Sequence, residues 1–96
     1  MSIRYLQQGS PLSSENMKGN VTDKVESAFE ELHRLHIVHG DVRAANILIA
    51  VDKSVWLIDF EFAQVVSGSS AMEIIEGETI EVKRLLAKIR NDESYF

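Results

Sequence analysis

The stretch His39-Gly40-Asp41-Val42-Arg43-Ala44-Ala45-Asn46-Ile47-Leu48-Ile49, followed by Asp52-Lys53 and then Val55-Trp56-Leu57-Ile58-Asp59-Phe60-Glu61, decides the fold. Its two apolar runs have strand length and flank a polar pair, which predicts a β-hairpin. The turn carries no glycine, so its type stays open. A turn centred between Asp52 and Lys53 sets 51 opposite 54, 49 opposite 56, 47 opposite 58, and Asn46 opposite Asp59. Directly opposed residues have β-carbons about 4.5–5.5 Å apart. A carboxylate and a carboxamide oxygen then meet at the open end of the hairpin. Oxygen donors of this kind suit a hard cation, chiefly Mg2+, which keeps several waters and is completed by substrate phosphates. A one-residue slip would send the two side chains to opposite faces.

Asp41 lies in the loop that feeds the first strand, where it can accept a proton from an attacking hydroxyl. Arg43 is a cation on the same loop; it either stabilises charge on a transferring phosphoryl group or neutralises Asp41.

Upstream, apolar residues Val21, Val25, Ala28, Phe29, Leu32 and Leu35 draw one stripe at the helical period and predict a helix over 21–36. Asn20 or Thr22 is placed to cap it. Residues 3–6, Ile-Arg-Tyr-Leu, read as a short strand that Gly9-Ser10-Pro11 breaks. Downstream, Ser67–Ser70 is a loop, and Ala71–Ile75 a helical turn that Gly77 ends. A terminal helix is expected over 79–90, capped by Thr79, with Val82, Leu85, Leu86 and Ile89 on one face. Glu78 and Glu81 interleave with its Lys83–Arg90 cations, which reads as a solvated face. His33 and His36 read as structural, and Trp56 and Phe60 as core.

The chain has 96 residues, 45% hydrophobic and 26% charged, which describes one small globular domain or a piece of one. Ten Lys+Arg against fifteen Asp+Glu give a net charge of −5, which argues against nucleic acid or an anionic membrane as partner. The absence of cysteine removes disulfides, thiol nucleophiles and cysteine metal sites. No apolar run approaches the roughly 18 residues of a membrane span. No signal-peptide core is visible either, so the cytoplasm is the expected location.

The H-x-D triplet, the step of five to Asn46, the short hairpin and the D-F-x triplet resemble the catalytic core of protein-kinase-like phosphotransferases, in family order. H-G-D and D-F-E look more like the aminoglycoside and choline phosphotransferase branch, whereas Arg43-Ala44-Ala45-Asn46 looks like the catalytic loop of tyrosine kinases. The resemblance implies a partial kinase-like C-lobe of α+β class. It implies Asp41 as catalytic base, with Arg43 beside it, and Asn46 and Asp59 as ligands of Mg2+ on the ATP phosphates. His39 becomes a support of the loop. Residues 1–12 look like the hinge, whose backbone at Tyr5 and Leu6 would contact adenine. Residues 37–63 hold the catalytic loop and the metal-binding hairpin. Glu61 stands where protein kinases usually have glycine, and reads as a surface residue.

No glycine-rich loop, strand lysine or paired helix glutamate precedes the hinge-like stretch. The expectation is therefore an ATP- and Mg2+-dependent phosphotransferase segment acting on a hydroxyl acceptor, protein or small molecule, with little or no activity alone. The alternative is a non-catalytic, pseudokinase-like binding module. Because both faces of the hairpin are apolar, exposed patches and self-association, or a partner chain, are expected.

Overall fold

A computed structural model describes residues 9–94 and shows an α+β arrangement. In chain order it contains β1 (Ser10–Pro11), α1 (Val21–Arg34), β2 (Ile37–Val38), a 3-10 turn (Ala44–Asn46), β3 (Ile47–Ile49), β4 (Val55–Leu57), β5 (Gln64–Val65) and α2 (Ala71–Ser94). The hinge-like residues Tyr5 and Leu6 lie outside the described residues.

The stripe on α1 buries Val21, Val25 and Phe29. They meet Leu12, Met17, Ile47 and Ile49 from one side and Val82, Leu86 and Ile89 of α2 from the other. Burying an aliphatic or aromatic side chain of this size contributes about 1.5–3 kcal/mol. The helix stops at Arg34, because His36 turns the chain left-handed at φ 62°. Leu35, expected on the buried stripe, therefore falls outside the helix and is exposed. Asn20 occupies the capping position without a side-chain cap bond.

β1, β3 and β4 form an antiparallel sheet in that order. Ser10–Pro11, read from the sequence as a break, is thus an edge strand opposite Leu48 and Ile49. An edge tolerates the missing N–H of proline. β2 and β5 form a separate antiparallel pair, Ile37 opposite Val65 and Val38 opposite Gln64.

The hairpin forms, but its register differs from the expected one by one residue. Ile47 faces Leu57, Leu48 faces Trp56, and Ile49 faces Val55. The loop has three residues, Val51–Lys53, closed by Ala50 N–H to Ser54 O at 2.9 Å and Lys53 N–H to Ala50 O at 2.9 Å. Lys53 adopts φ 73°, the left-handed conformation that ends a three-residue hairpin loop. The face toward the helices therefore carries Ile47, Ile49, Val55 and Leu57. Trp56 and Phe60, expected in the core, are 42% and 44% exposed.

α2 is a single 24-residue helix that runs through Gly77, where a stop was expected. Thr79 donates its hydroxyl to Ile75 O at 3.1 Å inside that helix and caps nothing. Val38, Val66 and Ala71, with Ile75 against them, form a second small core where α2 crosses the β2–β5 pair. Lys83 Nζ reaches Glu26 at 3.2 Å and ties the outer edges of the two helices. No described helix is long and apolar enough to cross a membrane.

Candidate active site

The loop between β2 and the 3-10 turn carries Asp41. Its second residue is Gly40 at φ 87°, where an added Cβ would lie 2.3 Å from the Phe62 carbonyl oxygen. Both the left-handed backbone and the close approach of another segment require glycine there. Its identity is thus set by the chain just after Asp59.

Asn46 ends the 3-10 turn and is buried. Its Nδ2 donates to the Asp41 backbone oxygen at 2.9 Å and to Asp41 Oδ2 at 3.0 Å. One amide group thus fixes both the loop and the carboxylate. Asp41 Oδ1 lies 3.4 Å from Arg43 Nε. The Arg43 side chain is 66% exposed, so this pair contributes little to stability. Of the two readings for Arg43, the contact with Asp41 is the one the structure displays.

His39 is buried at 1% exposure and braces the loop. Its Nε2 lies 2.7 Å from the Ile58 carbonyl oxygen, which can only accept, so Nε2 carries the hydrogen. Its Nδ1 accepts the Asp41 N–H at 3.2 Å. The ring centroid lies 4.8 Å from that of Phe60. One imidazole therefore holds the Asp41 amide and the residues on either side of Asp59.

The hairpin register changes how Asn46 and Asp59 relate. Asn46 O accepts the N–H of Ile58 at 3.0 Å, so Ile58, and not Asp59, stands across from Asn46. In an uninterrupted ladder this would aim Asp59 at the opposite face. Asp59 leaves the ladder, however, with φ 59°, and the alternation of strand side chains no longer applies to it. It is exposed, and no hydrogen bond links it to Asn46 or Asp41. The structure thus joins Asp41, Asn46 and His39 into one hydrogen-bonded loop, with Arg43 ion-paired to Asp41 and Asp59 one residue beyond the cross-strand edge.

The donor chemistry fits a hard cation. The Asn46 nitrogen is committed to Asp41, which leaves Oδ1 as the amide's ligand atom, and Asp59 offers a carboxylate. Among the described residues no group of three or more His, Cys, Asp or Glu could hold a metal by itself. A cation here would therefore need oxygens from a substrate and water, as Mg2+ on a polyphosphate does.

The residue that sequence reasoning missed is Glu78. It was read as a solvated charge, yet it is 4% exposed. Its Oε1 accepts from the His39 N–H at 2.9 Å and lies 2.8 Å from His33 Nε2. Its Oε2 accepts from the Gly40 N–H at 2.8 Å. A buried carboxylate on α2 thus clamps the backbone of the loop that carries Asp41, and His33 on α1 supports the clamp. The sequence held one signal: Glu78 sits at a helical step between Ile75 and Val82, on the stripe that is otherwise buried.

Comparison with known proteins agrees with this geometry. A family model described as Protein kinase domain matches residues 2–80. A Dictyostelium discoideum protein named probable serine/threonine-protein kinase mkcB is 34% identical over 62 residues, 65% of this chain and 9% of that protein. The Caenorhabditis elegans serine/threonine-protein kinase pak-1 is 45% identical over 42 residues, 44% of this chain and 7% of that protein. The matched stretch is thus less than a tenth of either relative. With the family model covering most of its length, the chain belongs to the protein kinase family.

Proposed function

We propose that this chain is a phosphoryl-transfer segment of a kinase domain, with ATP as donor and a hydroxyl group as acceptor. The observation that carries the reading is the double hydrogen bond from Asn46 to Asp41, which fixes a partly exposed carboxylate beside an oxygen donor. Asp41 takes the proton of the acceptor hydroxyl. The acceptor oxygen bonds to the γ-phosphorus, and the bond to the bridging oxygen breaks with its electron pair leaving on ADP. Arg43 tempers the charge on Asp41 between turnovers, and His39 keeps the Asp41 backbone in place. Asn46 Oδ1 and Asp59 would hold Mg2+, which when bound offsets the charge of the phosphates.

Calorimetric titration of the chain with Mg·ATP tests this reading. Binding is expected in the parent and lost in Asp59→Ala. Because little or no transfer is expected from the chain alone, Asp41→Asn is read by binding, and it is expected to take Mg·ATP as the parent does. Absence of heat at millimolar nucleotide would overturn the catalytic reading and leave a non-catalytic binding module.

A further inference from the structure

One face of α2 divides its charges by sign along its length. Glu73, Gly77, Ile80, Arg84 and Lys88 are exposed and follow one another at steps of three and four, with Glu76 beside them. This face is turned away from Val82, Leu86 and Ile89, which lie in the core. Its carboxylates precede Ile80 and its cations follow it. Glu73 and Glu76 stand three apart, and Arg84 and Lys88 four apart, so each meets a charge of its own sign along the helix, which is unfavourable. Among the described residues none of these four has a hydrogen bond or an ion pair. The helix dipole favours acids in the first turn and bases in the last, and its influence ends there. Glu73 is in the first turn, but the last turn holds no base, and Glu76 and Arg84 lie further in.

Two more residues on this face have no account within the chain. Gly77 is in the helix interior, where glycine is unfavourable relative to alanine. Packing inside the molecule does not require it, because an added Cβ would meet nothing within 4 Å. Ile80, at the centre, is 49% exposed. Glu73, Glu76, Gly77 and Ile80 stand at i, i+3, i+4 and i+7, the four positions that form one hole for a side chain of a facing helix. Two carboxylates, an apolar wall and a floor without a side chain suit a long cation. An antiparallel copy of α2 supplies one. A two-fold axis beside Ile80 sets Ile80 against Ile80, brings Arg84 of each copy over the hole of the other, and places Lys88 next to Glu73. The stem of Arg84 then covers Ile80 while its guanidinium reaches the carboxylates. Parallel pairing would set like charges together.

We propose that this face of α2 is a self-complementary interface on which a second copy of this chain docks antiparallel, Arg84 of each copy entering between Glu73 and Glu76 of the other. The interface uses none of Asp41, Arg43, Asn46 and Asp59, so it stands or falls separately from the proposed phosphoryl transfer.

Sedimentation equilibrium of the full chain, run over a range of concentrations, tests the pairing, and circular dichroism checks that each variant keeps its helices. A monomer–dimer equilibrium is expected at low ionic strength, weakening as salt rises. Arg84→Glu and Glu76→Arg are each expected to raise the Kd of the dimer by about tenfold or more. They move the net charge in opposite directions, so bulk repulsion cannot produce both losses. The combined variant Glu76→Arg/Arg84→Glu, which exchanges the two signs, is expected to bring the Kd back to within about threefold of the parent. Gly77→Gln fills the hole and is expected to weaken the dimer by about tenfold, although glutamine is the better helix former. All three positions are exposed, and should one variant lose its helices the others decide. The proposal is overturned if the parent is monomeric at every concentration, if Arg84→Glu, Glu76→Arg or Gly77→Gln associates as the parent does, or if the combined variant fails to regain the dimer.

Discussion

The two ends of the β3–β4 hairpin are built on different principles. At the turn end the hydrogen bonds are mostly local and exposed. Asp52 Oδ1 accepts from Ser54 Oγ at 2.7 Å and from Ser54 N–H at 3.0 Å, and Trp56 Nε1 donates to Ser54 Oγ at 3.1 Å. Lys24 Nζ to Lys53 O, at 3.3 Å, is a long-range contact there. At the open end the bonds join distant parts of the chain. His39 reaches Ile58 across 19 residues, and Glu78 reaches His39 and Gly40 across 39 and 38. Exposed bonds exchange with water at little net gain, whereas breaking a buried bond leaves its partner without one. The turn therefore sets the register cheaply, and the buried end holds the site firmly.

The strongest way to break this contrast is Glu78→Ala. It leaves the His39 and Gly40 amides and the His33 ring without their acceptor. Leaving a buried donor without its acceptor costs about 1–3 kcal/mol for each group, so the loss here is about 2–5 kcal/mol. Urea unfolding is expected to show a loss of that size, and a smaller loss for Glu78→Gln, which keeps one acceptor oxygen. A loss of about 0.5 kcal/mol, the usual size for a surface substitution, would mean that the clamp does not hold the loop.

His39→Leu comes next. It keeps apolar volume but orphans the Ile58 carbonyl and the Asp41 amide. Each such group costs about 1–3 kcal/mol. Hydrogen exchange at the Asp41 amide is expected to speed up beyond what the global destabilisation explains. If it tracks global unfolding alone, the ring is filling space and not bracing the loop.

The same contrast explains what the sequence revealed. The helix over Val21–Arg34, the two hairpin strands and the grouping of Asp41 with Asn46 are encoded by residues near one another, and periodicity or spacing exposes them. The register was missed by one residue because Lys53 takes a left-handed conformation that its residue type does not advertise. Gly40 looked like an ordinary turn glycine, since its true constraint, the Phe62 carbonyl, arrives from the next segment. Glu78 looked like surface charge for the same reason: its three donors come from α1 and the loop that carries Asp41. β5, two residues long, exists only through its pairing with β2. Long-range partners leave no periodic trace.

Lys53→Gly sharpens the comparison from the turn end. The left-handed conformation is unfavourable for lysine by about 1 kcal/mol, and glycine adopts it freely. The extra freedom of glycine in the unfolded chain offsets part of that gain. The Lys24 contact survives, because it is made to the backbone oxygen. Thermal unfolding is expected to show a net gain of about 0.5 kcal/mol. A clear loss would mean that the lysine side chain itself supports the turn.

The smallest effect is expected from the pH dependence of Asp52. Its carboxyl is held below the usual value of 3.8, first by the Ser54 hydroxyl and then by the Ser54 N–H, both donating to the ionised form. Because the folded value lies under the unfolded one, the contribution to stability is complete above about pH 3.8. It is lost as the pH falls through the lower, folded value. Asp52 is fully exposed, so the step is slight. An NMR titration of its carboxyl group is expected to give a midpoint below 3.8, moving back up in Ser54→Ala, while chemical shifts at Asp41 and Asn46 stay unchanged. If the Asp52 midpoint is not depressed, or if Ser54→Ala disturbs the Asp41–Asn46 pair, the two ends of the hairpin are coupled. The division between a locally closed turn and a remotely clamped site would then fail.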